Sequence, residues 1–395
     1  MGKVVLGQGF RHGRRSRIRN LNDTLSRLSA FRKHAGPKPA GADRLADLPP
    51  FGSNPGALRG RFYLPACLAA SPPLVVVLHG CMQDAASYDH GSGWSQLADE
   101  QGFALLYPEQ QRGNNPNLCF NWFNLGDTRR DAGEALSVRQ MIAAMIATHA
   151  LDPARVYVTG LSAGGAMASV MLAAYPDVFA GGAIIAGLPY GTAATVPEAF
   201  DRMRAQGGPP VEALGSLVTA ASPHPGPWPK ISVWHGDRDA TVSHANSALI
   251  VEQWRAVHGV KSGPAVVETV CGHRRRAWRD AHGREVIEEY RIAGLPHGTP
   301  LSTAGPEACG SAGPYMLEAG ISSTRRVADF WGIAGQDRLP RGAPVRTPQP
   351  NATRFHSATE GASHEDVSQA AHAKPPADGV GRVIEDALRA AGLMR

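Results

Sequence analysis

Long apolar runs are missing from this 395-residue chain: none approaches the roughly 20 residues needed to cross a bilayer as a helix, which excludes a helical membrane span. Cysteine is scarce, with five at positions 67, 81, 119, 271 and 309. That is too few for a disulfide scaffold, no CxxC spacing suggests zinc, and the odd count leaves at least one thiol free. The N-terminal stretch MGKVVLGQGFRHGRRSRIRN lacks the order of a secretory signal, because its short apolar patch precedes the charges and no small-residue cleavage site follows. The Arg14-Arg15 pair has no hydrophobic segment behind it, which argues against twin-arginine export. Internal repeats are absent as well. What remains, 43% hydrophobic and 19% charged, is the composition of a globular protein with a sizeable core in one large domain or two.

The charge is unevenly placed. Residues 1 to 34 hold nine Lys or Arg against one acid, Asp23, so a net +8 sits in the arm and the whole-chain +6 leaves the rest at about −2. Residues 1–58 read as a basic, Pro/Gly-rich appendage, since GPKPAGADRLADLPPFGSNPG resists regular structure. Within it Ile18, Leu21, Leu25 and Leu28 fall at helical spacing among arginines. Residues 14–33 are therefore either a basic amphipathic helix that docks on a membrane surface, granule or acidic partner, or else a helix folded back on the body or a solvated arm. No nucleic-acid partner is expected, because the arginines are confined to a tail without an aromatic-interleaved patch.

From Arg59 to Ala334 short β-branched runs alternate with helical windows. RGRFYLP, LVVVLHG, FALLYPE, RVYVTG, GAIIAG, KISVWHG, PAVVETV and EVIEEYRI read as strands, several apolar throughout, as expected where both sheet faces are covered. Trp94 to Gln101, Asp131 to His149, Ala163 to Tyr175 and His244 to Val257 read as helices. The fold class is α/β: a mostly parallel, doubly wound sheet with helices on both faces. Residues 335–378 read as a disordered linker, and 379–395 as a C-terminal amphipathic helix through Val380, Val383, Ile384, Ala387, Leu388 and Leu393.

The chemistry starts at GLSAG, residues 160 to 164. An apolar strand leads in and a helix leads out, the context of a nucleophile elbow that presents Ser162 above the sheet's carboxyl edge; the alternative is an inert serine in a Gly-rich turn. A serine hydroxyl needs a base to take its proton and a carboxylate to orient that base, and in an α/β-hydrolase both follow it in the chain. Asp237 and Asp239, after KISVWHG, are both candidates for the acid, and periodicity does not separate them. Of His244, His258, His273, His282 and His297, the last lies after EVIEEYRI on the Gly/Pro-rich loop GLPHGTP, where the base would sit. Donors for a developing oxyanion are expected from the amide of Ala163 and from that of Cys81 in the turn after LVVVL.

LVVVLHGCMQ, GWSQLADEQGFALLYPEQ, CFNWF, RRDAGEALSVRQM, DPARVYVTGLSAGGAMASVMLAAYPDVFAGGAIIAGLPYG and WHGDRDATVSHANS, in that order, resemble the polyhydroxybutyrate (PHB) depolymerase family, α/β-hydrolase esterases related to acetylxylan and feruloyl esterases. The resemblance covers about Arg59 to Ile333. It implies Ser162, Asp239 (through an HGxxDxxV-like pattern) and His297 as the triad, Cys81 and Ala163 as oxyanion donors, and no cofactor or metal. It departs at HGTPL, where many secreted members follow the histidine with Ala-Trp and glycines.

The implied activity is a serine esterase acting on poly(3-hydroxybutyrate) or its oligomers, with an acetylxylan or feruloyl esterase or a peptidase as alternatives on the same fold. A non-enzymatic alternative is a granule- or nucleic-acid-binding protein using its basic arm. Trp122 and Phe123 of CFNWF are read either as the lining of an acyl pocket or as core anchors. A disulfide between Cys81 and Cys119 is expected to stiffen the oxyanion loop; in a reducing compartment two buried free thiols would stand instead. The family implies an extracellular protein, whereas the missing export signal implies a cytoplasmic one.

Overall fold

A computed structural model describes residues 43–334. The helical windows within residues 14–33 and 379–395 and the linker 335–378 lie outside the described residues. The elements run β1 (Ala46–Asp47), β2 (Arg59–Tyr63), β3 (Leu74–Leu78), α1 (Ala85–Ser92), α2 (Trp94–Gln101), β4 (Ala104–Glu109), α3 (Leu125–Thr128), α4 (Gly133–His149), β5 (Val156–Leu161), α5 (Ala163–Ala174), β6 (Gly181–Ile185), α6 (Val196–Met203) and α7 (Val211–Thr219). There follow β7 (Lys230–Gly236), α8 (Ala245–Val257), β8 (Val266–Val270), β9 (His273–Arg279), β10 (Glu285–Ile292), β11 (Thr299–Leu301), β12 (Met316–Glu318) and α9 (Ser323–Trp331).

Ten strands form one sheet in the order β1-β2-β4-β3-β5-β6-β7-β10-β9-β8. The central run from β4 to β10 is parallel. Antiparallel strands flank it on both sides. Side-chain alternation explains why LVVVL shows no polar face: Leu74, Val76 and Leu78 enter one core with Met141 of α4, Met167 of α5 and Trp254 of α8, while Val75 and Val77 enter the other with Trp94 of α2 and Trp331 of α9. Burying both faces makes the middle of the sheet rigid, and the loops at its carboxyl edge inherit fixed starting points.

Two sequence readings are corrected. Residues 43–58 belong to the body rather than to a loose appendage. Arg61 is buried and its guanidinium pairs with Asp43 and Asp47, Leu45 and Leu58 enter the core, and the Asn54 side chain both accepts from Leu58 N (3.1 Å) and donates to Leu58 O (2.9 Å). Pro and Gly discourage helix and ladder, but they do not prevent an extended segment from being held by side-chain bonds and a buried cation. The second miss is β9, HRRRAWR, whose arginines hide a strand from any hydrophobic pattern. Three of them are satisfied laterally: Arg275 pairs with Glu268, Glu285 and Glu288, Arg276 with Glu289, and Arg279 with Glu285.

A chain beginning at Arg59 leaves the buried Arg61 without Asp43 and Asp47. Its melting temperature is expected to lie at least roughly 5 °C below that of a chain beginning at Asp43, measured by thermal denaturation.

Candidate active site

Ser162 sits between β5 and α5 with φ 57° and ψ −117°, a conformation that costs a non-glycine residue on the order of 1–3 kcal/mol. Neighbours over-determine it. The Ser162 amide donates to Ile185 O at 2.9 Å, and its carbonyl accepts the first helical bond, from Ala166 N, at 2.8 Å. A Cβ on Gly160 would lie 2.4 Å from the Gly164 backbone, one on Gly164 would lie 2.2 Å from Leu78 O, and one on Gly165 2.9 Å from Ile185 O. The glycines thus let three backbones meet under the serine. Ala163 opens α5, so its amide belongs to the helix's first, intrahelically unpaired donors.

Asp239 and His297 come together from the loops after β7 and β10, which touch because Gly236 has no side chain: a Cβ there would lie 2.2 Å from Leu295 O. Asp239 Oδ1 accepts from the amides of Thr241 (2.8 Å) and Val242 (2.9 Å), while Oδ2 lies 2.7 Å from His297 Nδ1 and 3.2 Å from His235 Nε2. Burial alone would raise the Asp239 pKa, but the hydrogen bonds from His235 and His297 outweigh it and hold the carboxyl well below the usual range. Since a carboxylate can only accept, the His297 proton is on Nδ1 and Nε2 is left as the basic nitrogen. Asp237 does something else, accepting from Gly294 N at 2.8 Å and so bracing the histidine loop.

The other histidines are engaged elsewhere. His258 Nε2 meets Pro229 O at 3.1 Å and burial lowers its pKa to about 4. His273 Nε2 meets Ala319 O at 2.8 Å, His244 precedes α8, and His282 is exposed in the β9–β10 turn. Ser162 and His297 line one pocket with Gly80, Cys81, Gln83, Leu161 and Tyr315. No hydrogen bond joins the Ser162 hydroxyl to the imidazole in this structure.

On the far side of Ser162, β3 ends in a turn locked from several directions. His79 is buried; its Nδ1 faces Gly80 O (2.8 Å) and its Nε2 receives the Gln110 amide (3.1 Å), which sets the proton on Nδ1. Gln83 Oε1 takes the Gly80 amide at 2.8 Å, and Cys81 is joined to Cys119 by a disulfide. Beneath Cys119, Glu134 of α4 accepts from Gln110 Nε2 (2.6 Å), Asn121 N (2.9 Å) and Asn121 Nδ2 (2.8 Å), and burial pushes its pKa up to about 8.

Trp122 and Phe123 are not among the residues that line this pocket. Trp122 packs on the cluster of Ala166, Leu188 and Val242 and meets Phe123 edge-on at 5.6 Å. His235, Gln83 and Tyr315 were not singled out from sequence. A histidine in the apolar strand KISVWHG was a usable signal for the first; Tyr315 comes from a stretch with no pattern of its own. Among the described residues no group of three or more His, Cys, Asp or Glu is placed to hold a metal ion.

A family model described as esterase PHB depolymerase matches residues 58–275. A poly(3-hydroxyalkanoate) depolymerase C of Paucimonas lemoignei is 46% identical over 293 residues, spanning 74% of this chain and 70% of that protein. An acetylxylan esterase of Coprinopsis cinerea is 31% identical over 268 residues, spanning 66% and 71% respectively. The solved structure of an acetyl xylan esterase from Aspergillus awamori matches with a TM-score of 0.62 over 73% of this chain and 99% of that one, at 22% identity, a likeness of fold.

The Cys81–Cys119 bridge closes a loop across a sequence separation of 38. Replacing both cysteines by serine is expected to lower stability by about 3–4 kcal/mol in denaturant unfolding, with little effect from replacing Cys67.

Proposed function

The chain belongs to the PHB depolymerase family of esterases and is a carboxylic ester hydrolase, and from that premise we propose that it cleaves poly(3-hydroxyalkanoate) chains or their oligomers through a Ser162–His297–Asp239 triad. The observation that carries the reading is the 2.7 Å contact of His297 Nδ1 with Asp239 Oδ2, in a loop pair whose histidine shares a pocket with the strained Ser162.

Ser162 Oγ attacks the ester carbonyl as His297 Nε2 takes its proton, and the imidazolium is stabilised by the ionised Asp239. The carbonyl oxygen, now negative, is received by the amides of Cys81 and Ala163; Gln83 occupies the Gly80 amide and so keeps that turn in place. Collapse expels the alcohol, which leaves with the proton held on His297, and an acyl-Ser162 ester remains. Water then attacks that ester with the same histidine as base, releasing the acid and regenerating the serine.

One observation supports the substrate class: the relative at 46% identity is a poly(3-hydroxyalkanoate) depolymerase. An acetylxylan esterase is the second reading, favoured by the relative at 31% identity. A hydrolysis panel of 3-hydroxybutyrate oligomers, amorphous polymer and acetylated xylan separates the two.

Ser162→Ala is expected to reduce p-nitrophenyl butyrate turnover by at least roughly 10⁴-fold. Asp239→Asn should lose on the order of 10⁴-fold while Asp237→Asn stays within a few-fold of the parent, measured as kcat. Because the Asp239 carboxyl is held below the usual range, it stays ionised through the assay window and its contribution would be lost only at lower pH. The acid limb of kcat/KM is therefore expected to carry no protonation step from Asp239 in a stopped-time assay from pH 4 to 8.

A further inference from the structure

Tyr315 lies beyond the residues that the family model matches, yet it forms part of the wall over Ser162. Its φ is +61°, in the left-handed region where a bulky side chain is strained. The strain is held by close contacts. Tyr315 O accepts the Thr299 amide at 2.8 Å, and β12, which follows it, pairs in parallel with β11. Gly298, next to His297, has no side chain for the same reason: a Cβ there would lie 2.8 Å from Tyr315 O and 2.7 Å from Leu317 Cδ1. On the other side, Met316 packs against Gly91 of α1, where a Cβ would lie 2.5 Å from its Cγ. Tyr315 is thus clamped between the histidine loop and α1, a fixed wall.

Its ring stands edge-on to the His297 imidazole, 6.0 Å between centroids at 77°. The side chain is half-buried, and its hydroxyl makes no hydrogen bond to any described residue. Position relative to the histidine decides which half of an ester it meets. In the proposed reaction His297 hands its proton to the departing oxygen, so a group in contact with that imidazole lies on the alcohol side of the scissile bond. In a polyester of hydroxy acids the alcohol is itself an ester: the next unit carries a carbonyl that can accept a hydrogen bond.

We propose that Tyr315 is a specificity-determining residue that recognises the leaving alcohol: its ring seats that group against His297, and its hydroxyl donates to the ester carbonyl of the adjoining hydroxyacyl unit. Burial raises the Tyr315 pKa, so the phenol keeps the proton it would donate. The inference rests on the triad reading above and adds to it the half of the substrate that the triad does not read.

The test compares two substrates, methyl 3-hydroxybutyrate and the linear 3-hydroxybutyrate trimer, whose hydroxyl-terminal ester has the same acyl group as the methyl ester and a different alcohol. Tyr315→Phe keeps the ring and removes only the hydroxyl. It is expected to lower kcat/KM on the trimer by roughly tenfold and on the methyl ester by less than about twofold, the size of one lost hydrogen bond. Tyr315→Ala is expected to lower both, the trimer more. Matching far-UV circular dichroism and melting temperature for Tyr315→Phe show that the fold is intact. Equal losses on the two esters, or no loss on either, in an enzyme that still depends on Ser162 overturn the assignment of Tyr315 alone. Hydrolysis that survives Ser162→Ala instead overturns the reading of the site on which it rests.

Discussion

The site depends on one close approach: the carbonyl of Leu78, at the end of β3, lies where a side chain on Gly164 would be, 2.2 Å from its Cβ. That contact seats the first turn of α5 on the end of the neighbouring strand. Ser162, just before that turn, takes its positive-φ conformation there, and the turn carrying Cys81 lies beside it. Any side chain at 164 would push the two apart, and with them the proposed nucleophile and one of its proposed oxyanion donors.

Around this contact the molecule repeats one device, a buried acid that fixes a loop by collecting N–H groups. Asp239 gathers two backbone amides and faces two histidines; Glu134 gathers one amide and two side-chain amides below the Cys119 loop. The chemistry of the two differs because their partners differ. Imidazoles can carry charge, and beside them Asp239 stays ionised; Glu134 has only neutral donors, and burial wins. One acid is suited to orienting a base, the other to holding a wall.

Some of this was legible in the sequence. The elbow was readable at Ser162 because strand, turn and helix are contiguous, and every steric requirement at 160 and 164 leaves a glycine. The eight strand readings rest on the same logic of short apolar runs. Where charge carried the packing, the pattern failed: HRRRAWR is a strand whose Arg275 and Arg276 are matched by glutamates on neighbouring strands, and residues 43–58 are held by a buried arginine and an asparagine together with scattered leucines that make no periodic face. Trp122 was open between pocket and core because an aromatic suits both; in the structure it packs on a small apolar cluster of Ala166, Leu188 and Val242.

By itself the sequence determined the α/β class, the strand-elbow-helix unit at GLSAG and the family of esterases, since each is encoded in short, ordered segments whose meaning needs no distant partner. Strand periodicity left two aspartates two positions apart open and the family pattern favoured Asp239, but the physical reason that one of them faces a histidine lies in the tertiary structure. It turns on the crossing of the β7 and β10 loops at Gly236, where the Asp239 carboxylate meets His297 and the Asp237 carboxylate meets the Gly294 amide and Arg291. The same holds for Tyr315, brought to the pocket by strand pairing and by packing on α1. Such contacts join segments that carry no local signal of one another, and only the folded chain brings them within reach.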